Sequence, residues 1–268
     1  MNSNDLKLVV MEKYGEIAKQ SLLINTSTCC GPSSNCCGDL EFSMIGDEYK
    51  NIKGHLADAD LGLGCGIPTQ YAEIKPGDHV LDLGSGAGND CFVARSIVGE
   101  SGKVTGLDFT ESMIVKANQN NQKLGYGNVA FVQGDIEEMP LPDNSFDVIV
   151  SNCVLNLVPD KNKAFSEMMR VLKPGGHFCV SDVVIKGVLP EKLRKDVEMY
   201  AGCVAGAIER EKYMEIIEIQ GFKNLIVHKM RAIPIPAKVL ENYLSKNEIT
   251  EFQNSEIGIF SITVSGFK

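Results

Sequence analysis

The chain has 268 residues, 44% of them hydrophobic, and can therefore bury a complete core. Its net charge of -9, without a cluster of Lys and Arg, argues against a nucleic-acid partner, because binding phosphates requires concentrated positive charge. It has neither the roughly 18 to 20 consecutive apolar residues of a membrane span nor a secretory signal, so we expect a cytoplasmic protein without a membrane partner.

The first part of the chain combines a helical pattern with a cysteine-rich stretch. Apolar residues recur at helical spacing over residues 5–22 and predict a helix. The following TSTCCGPSSNCCGD is rich in turn-forming residues and predicts a loop. We assign residues 1–65 to an N-terminal helix and cysteine-rich arm, 66–185 to a core domain, and 186–268 to substrate-covering helices and two final strands.

The core alternates short apolar runs with helical segments, which is typical of βαβ units around a parallel sheet. The helix before KPGG (173–176) is expected to end at that breaker, and a further helical stretch is expected around 190–219. The predicted strands are 79–84, 103–108, 128–133, 146–152 and 177–184, the predicted helices are 89–98, 110–124 and 160–172, and two last strands begin at KNLIVHKM and IGIFSITVSGFK and could pair as an antiparallel edge.

A glycine loop follows the first predicted strand. VLDLGSGAGND places Asp82, Gly84, Gly86 and Gly88 where the strand turns into a helix, so that the backbone can approach a ligand closely. It is not a dinucleotide fingerprint, because Asn89 occupies the position of the third glycine. A glycine loop alone is weak support for a nucleotide site.

The next two strands supply partners for that loop. Asp108 ends the second strand, where a carboxylate can accept both ribose hydroxyls of an adenosine. Gly134, Asp135, Ile136 and Glu137 follow the third strand, where a carboxylate could meet an adenine amino group while Ile136 packs on the ring. The three features together favour a nucleoside ligand.

Four sequence motifs occur in the same order as in a known enzyme family: LDLGSGAG, GLDFT, QGDIEEMPLPDNSFDVIVSN and VLKPGG. Through them the chain resembles class I S-adenosylmethionine-dependent methyltransferases over about residues 70–185. The resemblance implies a Rossmann-like α/β fold with helices on both faces of a seven-stranded, mostly parallel sheet that has an antiparallel C-terminal strand. It does not identify the methyl acceptor. The cofactor-binding residues that it implies are Asp82, Gly84, Ser85, Gly86, Asp108, Phe109, Met113, Gly134, Asp135, Ile136, Glu137 and Asn152.

Nine cysteines in a cytosolic chain are better explained as ligands, nucleophiles or buried apolar residues than as disulfides. Cys153 follows the fourth strand, at the sheet edge where open α/β folds bind ligands, and Cys65 and Cys203 lie in glycine-flanked or small-residue segments. We expect Cys91 and Cys179 to be packed inside a helix and a strand.

From about residue 55 to 222 the chain strongly resembles arsenite methyltransferases. The resemblance rests on VSNCVLNLVPDK, AGCVAGA, GLGCGIP and the glycine loop followed by DCFVA. The resemblance implies that Cys65, Cys153 and Cys203 bind trivalent arsenic and carry the catalysis, with Cys29 or Cys30 as a further candidate. It also implies arsenic detoxification, with S-adenosylmethionine as cofactor and a thiol reductant such as glutathione or thioredoxin as co-substrate.

The chemistry of arsenic fits three cysteines, because soft thiolates select soft centres. A pyramid of three sulfur ligands leaves the arsenic lone pair free to attack a sulfonium methyl, and this nucleophile carries no proton, so no general base is needed. The four histidines, His55, His79, His177 and His228, form no evident catalytic pair, and we expect structural or surface roles for them.

Several alternatives stay open at this point. The cysteine pairs at 29/30 and 36/37 could capture arsenic, form a disulfide or bind zinc, although adjacent cysteines lack the usual zinc-finger spacing. The acceptor could instead be an organic molecule such as a quinone, or the chain could be a nonenzymatic thiol sensor of metalloids. The sequence leaves open the number of methyl groups transferred and the oligomeric state.

Overall fold

The structure, a computed structural model, describes residues 7–8, 10–12, 14–18, 49–187, 206–233, 240–241, 244–254 and 257–268. Among these residues, none of the helices has the length and apolar character needed to cross a membrane. The predicted N-terminal helix is confirmed at its described positions, which we call the N-terminal helical segment (residues 7–8, 10–12 and 14–18). The predicted cysteine-rich loop lies outside the described residues.

One seven-stranded sheet organises the chain, with the strand order β3-β2-β1-β4-β5-β7-β6. Strands β1 to β5 pair in parallel, whereas β7 is antiparallel to both of its neighbours, which confirms the predicted fold class. The strands are β1 (His79–Leu83), β2 (Lys103–Asp108), β3 (Val129–Gln133), β4 (Phe146–Asn152), β5 (Leu172–Lys186), β6 (Lys223–Ile233) and β7 (Gly258–Phe267).

The helices pack on both faces of the sheet because alternate strand residues point to opposite sides. Leu81 belongs to the apolar core that includes Phe165 and Tyr213, whereas Val80 belongs to the core that includes Phe92. The helices are α1 (Asn89–Val98), α2 (Glu111–Leu124), α3 (Lys161–Val171), α4 (Arg210–Ile219) and α5 (Lys246–Asn254).

Two sequence predictions require correction. The strand predicted at 177–184 begins earlier, at Leu172, so KPGG follows the end of α3, as expected, but lies within β5; Gly175, with φ +79°, and a register shift against β4 make the first part of β5 irregular. The helix expected around 190–219 is present only as α4 within the described residues. Residues 206–209 are not helical, and Glu209 forms a parallel bridge with Ile185.

The strand order reverses at β1, which has β2 on one side and β4 on the other. In open α/β sheets such a switch point leaves a crevice at the carboxyl ends of the strands, where ligands bind. The glycine loop begins at this point, directly after β1, and Asn152 and Cys153 lie at the carboxyl end of β4.

Candidate functional site

A cleft with about 890 Å³ of empty space, including its open mouth, lies at the carboxyl ends of β1, β2 and β4. Its lining combines the glycine loop with residues from both neighbouring strand ends. Of the residues that the sequence assigned to cofactor or substrate binding, those in the lining are Asp82, Gly84, Ser85, Gly86, Asp108, Phe109, Met113, Ile136, Asn152 and Cys153.

The glycine loop has a conformation that few other residues could adopt. Gly84, Gly86 and Gly88 all have positive φ angles, of +71°, +51° and +97°. A Cβ on Gly84 would lie 2.3 Å from a methyl carbon of Val154, whereas a Cβ on Gly86 would meet no atom within 4 Å. Gly86 therefore leaves an open cradle in the wall of the cleft.

Asp108 holds the loop and faces the same cleft. The backbone N–H groups of Gly86 and Thr110 donate to its two carboxylate oxygens, at 2.9 and 2.8 Å. Next to it, the buried hydroxyl of Ser85 has no hydrogen-bond partner. Because an unsatisfied buried hydroxyl is costly, Ser85 indicates that a polar ligand completes this part of the cleft.

The cleft is acidic and contains no Lys or Arg among the described residues that line it. Burial and the charge of Asp90 raise the pKa of Asp82 well above its usual range, and burial also raises the pKa of Asp108. Burial raises the pKa of Asp90 to about 6, although hydrogen bonds from Tyr49 and Asn152 oppose this effect. Three buried carboxyl groups without a cation favour a positively charged ligand.

Three of the predicted cofactor residues lie elsewhere. Gly134, Asp135 and Glu137 are not part of the cleft lining. Asp135 and Glu137 instead form ion pairs with Lys7 of the N-terminal helical segment. Val10 and Tyr14 of that segment line the cleft, so the segment forms part of its wall.

Sequence reasoning missed several lining residues besides Val10 and Tyr14. Tyr49 donates a 2.8 Å hydrogen bond to Asp90, and both line the cleft. The position of Asp90 directly after the glycine loop could have indicated a role, whereas nothing near Tyr49 in the sequence does so. Tyr49 reaches the site only through the folding of a segment that precedes the sheet.

Cys65 and Cys153 belong to the same apolar cluster, with exposed fractions of only 1% and 3%. Both are thiols, and Cys153 also lines the cleft. Cys153 has a φ angle of +60°, an uncommon and strained conformation for a residue with a side chain. The fold therefore places two of the three predicted arsenic ligands in one buried apolar cluster, and one of them, Cys153, in the lining of the cleft.

The other predicted ligands, Cys203 and Cys29 or Cys30, lie outside the described residues. Within the described part of the chain, no group of three His, Cys, Asp or Glu side chains converges as for a metal ion. Cys91 and Cys179 are fully buried in α1 and β5, as expected, and burial raises the pKa of Cys179 to about 12. A buried thiol of that kind is inert.

Each histidine side chain has a hydrogen-bond partner within the protein. His55 contacts Asn89, His79 contacts Ser145 and Thr105, and His177 contacts the carbonyl of Ala72. His228 contacts the hydroxyl of Ser265. None of the four lines the cleft within the described residues, in agreement with structural roles.

A model described as a methyltransferase domain matches residues 74–221. The chain belongs to the methyltransferase-domain family. It is 38% identical to an arsenite methyltransferase of Halobacterium salinarum over 82% of this chain and 61% of that protein. It is 33% identical to the human arsenite methyltransferase over 88% of this chain and 63% of that protein.

A solved structure also resembles this methyltransferase-domain protein. The arsenic(III) S-adenosylmethionine methyltransferase CrArsM of Chlamydomonas reinhardtii aligns with a TM-score of 0.64 and 37% identity, over 76% of this chain and 67% of that chain. The chain spans only about three fifths of the length of the curated relatives.

The raised pKa of Asp90 predicts how stability depends on pH. The folded protein keeps the proton of Asp90 up to about pH 6, whereas the unfolded chain releases it near the ordinary pKa of 3.8. The contribution of Asp90 to the free energy of unfolding therefore falls as pH rises through this window. The side chain of Asp90→Asn cannot titrate. We therefore expect the free energy of unfolding of this variant, relative to that of the wild type, to increase as pH rises from about 4.5 to 7, as measured by urea unfolding of the ligand-free proteins.

Glu100→Gln serves as the control because it removes the carboxylate of an exposed residue. The difference in stability between this variant and the wild type should change little with pH. A difference between Asp90→Asn and the wild type that is independent of pH, or that moves in the opposite direction, would contradict the description of this carboxyl group.

Proposed function

We propose that this protein transfers methyl groups from S-adenosylmethionine to trivalent arsenic held by cysteine thiolates, a reaction that serves arsenic detoxification. The observation that carries the proposal is the burial of Cys65 and Cys153 in one apolar cluster, with Cys153 also in the lining of an acidic cleft. The arsenite methyltransferases to which the chain is similar support the same acceptor.

The residues of the cleft fit S-adenosylmethionine. The open cradle at Gly86 gives a ligand close access to the backbone, and the Ser85 hydroxyl lacks a partner that a polar ligand can supply. Asp108 can accept ribose hydroxyls, and a bound cation would favour the ionised forms of Asp82 and Asp90, whose pKa values are raised by burial. When bound, S-adenosylmethionine supplies an electrophilic methyl group on a positively charged sulfonium.

The cysteines supply the other half of the reaction. Cys65 and Cys153, with Cys203 as the third ligand, would bind arsenic through sulfur and leave its lone pair as the nucleophile. Their apolar surroundings include Leu157 and Val183 and exclude water from the reacting groups. No residue has to remove a proton, so catalysis depends on alignment.

Methyl transfer to the lone pair would form an As–C bond, break the S–CH₃ bond of the sulfonium, leave S-adenosylhomocysteine and oxidise arsenic from the trivalent to the pentavalent state. A further methylation therefore requires a reductant, for which we propose glutathione, thioredoxin or a similar cytoplasmic thiol. Cys29 or Cys30 could take part in capture of arsenic or in this reduction. Replacing Cys29, Cys30, Cys36 and Cys37 with serine without any change in arsenic affinity or activity would remove both roles for the arm.

Gly86→Ala tests the cofactor cradle. Its new Cβ projects into the open cleft, so we expect the affinity for S-adenosylhomocysteine to fall at least about 10-fold in calorimetric titrations. Gly125→Ala is the matched control, because Gly125 also has a positive φ angle, of +69°, and open space around its Cβ, but it ends α2 away from the cleft. Equal cofactor affinities for the two variants would contradict the proposed cradle.

The proposed reaction is tested with purified protein, As(III), a thiol reductant and labelled S-adenosylmethionine. The wild type should form methylated arsenic, and Cys65→Ser and Cys153→Ser should each reduce the rate at least about 100-fold, through loss of an aligned ligand. Cys179→Ala, which changes a buried cysteine inside β5, should retain a rate within about threefold of the wild type after correction for folded protein.

The alternatives predict different results in the same assay. An organic-acceptor methyltransferase would form no methylated arsenic, and its activity on that acceptor would survive Cys153→Ser. A metalloid sensor would bind As(III) tightly without forming product. Absence of methylated arsenic from a wild type with confirmed cofactor binding would reject the proposal.

A further inference from the structure

The side-chain carboxamide of Asn152 forms hydrogen bonds with two backbone groups of the segment that contains Cys65. Its carboxamide oxygen accepts a 3.0 Å hydrogen bond from the N–H of Cys65, and its Nδ2 donates a 2.8 Å hydrogen bond to the carbonyl of Gly66. A Cβ on Gly64 would lie 2.7 Å from that nitrogen. Residues 64–66 therefore pack directly on one carboxamide at the carboxyl end of β4.

The orientation of this carboxamide is determined by two buried neighbours. The Tyr49 hydroxyl donates to Asp90 at 2.8 Å, which leaves its oxygen to accept a 2.8 Å hydrogen bond from Nδ2 of Asn152. Asp90 Oδ2 also lies within hydrogen-bond distance of the same nitrogen, at 3.2 Å. Rotating the carboxamide by 180° would direct its oxygen at the Gly66 carbonyl and the Asp90 carboxylate and its Nδ2 at the N–H of Cys65, so the observed orientation is the one that pairs donors with acceptors.

The same segment is held from β5 and β7. The Ser261 hydroxyl donates a 2.5 Å hydrogen bond to the carbonyl of Cys65. Gly66 packs against Ser181, whose carbonyl accepts a 2.7 Å hydrogen bond from the N–H of Cys153. Both cysteines are therefore positioned by backbone contacts to neighbouring strand residues.

We propose that Asn152 is a positioning residue that holds Cys65 beside Cys153 and so sets the spacing of two thiols for a trivalent arsenical. The inference rests on the proposed function for its ligand. It gives Asn152 a different role from the cofactor contact that the sequence implied. Its carboxamide oxygen and nitrogen are engaged by Cys65, Gly66, Tyr49 and Asp90.

The test compares two ligands in one variant of the full-length chain. Asn152→Ala should weaken the binding of phenylarsine oxide, an arsenical that requires two thiolates, at least about 10-fold. Its affinity for S-adenosylhomocysteine should stay within about threefold of the wild type. Both are measured in a background with serine at positions 29, 30, 36, 37 and 203, so that these cysteines cannot bind the probe.

Asn128→Ala is a matched control. The Asn128 carboxamide also forms two hydrogen bonds with the backbone, in this case to the carbonyls of Gly99 and Gly102 at 2.9 and 2.8 Å, but it lies away from the cleft. It should leave both affinities unchanged. Gly64→Ala disturbs the contact from the opposite side and should reproduce the selective loss of arsenical binding; it decides the question if Asn152→Ala does not fold.

Other results would overturn the inference. Loss of S-adenosylhomocysteine affinity with retained arsenical affinity would make Asn152 a cofactor ligand, and unchanged affinity for both ligands would remove any positioning role. Cross-linking with dibromobimane, followed by mass spectrometry, measures the proximity of Cys65 and Cys153 without arsenic. A Cys65–Cys153 cross-link that is lost in Asn152→Ala would support positioning even if the wild type bound no arsenical, whereas an equal yield in both proteins, or none in the wild type, would reject it.

Discussion

Parallel pairing of β1 with β2 on one side and β4 on the other is the constraint on which the site depends. It brings the ends of three strands to one edge of the sheet. Asp82 and the glycine loop, Asp108, and the pair Asn152–Cys153 come to that edge from separate parts of the chain. The proposed cofactor cleft consequently includes Cys153, one of the proposed arsenic ligands, in its lining.

The charge of the cleft is the second element of the account. Asp82, Asp90 and Asp108 are all buried, and burial raises the pKa of each because ionising a carboxyl group away from water is unfavourable. A cationic ligand would reverse part of this cost. Asp90 also takes part in the hydrogen bonds that orient Asn152, which connects the acidic cleft to the segment that carries Cys65.

The sheet was predictable because its strands are short apolar runs bounded by turns, and the boundaries of β1, β2 and β4 agree with the prediction within one residue. KPGG marked the end of α3 correctly, but the start of β5 was predicted five residues too late, because breaker residues such as Gly175 can also lie in the irregular first part of a strand. The glycine loop and Asp108 were predictable from local spacing.

Contacts between distant parts of the chain were not predictable in this way. Lys7 pairs with Asp135 and Glu137, more than 120 residues away, and no local pattern indicates that pairing. The same holds for Tyr49 and for the Asn152 contact with Cys65, which is 87 residues distant in sequence. Each depends on how a segment that precedes the sheet packs against it, which periodicity does not encode.

X-ray absorption at the arsenic edge tests the central claim most directly, because it identifies the atoms bound to arsenic in the folded protein. The account predicts sulfur neighbours only, three in the wild type, with one lost in Cys65→Ser and one in Cys153→Ser. Oxygen neighbours in the wild type, or a sulfur count that neither substitution changes, would contradict it.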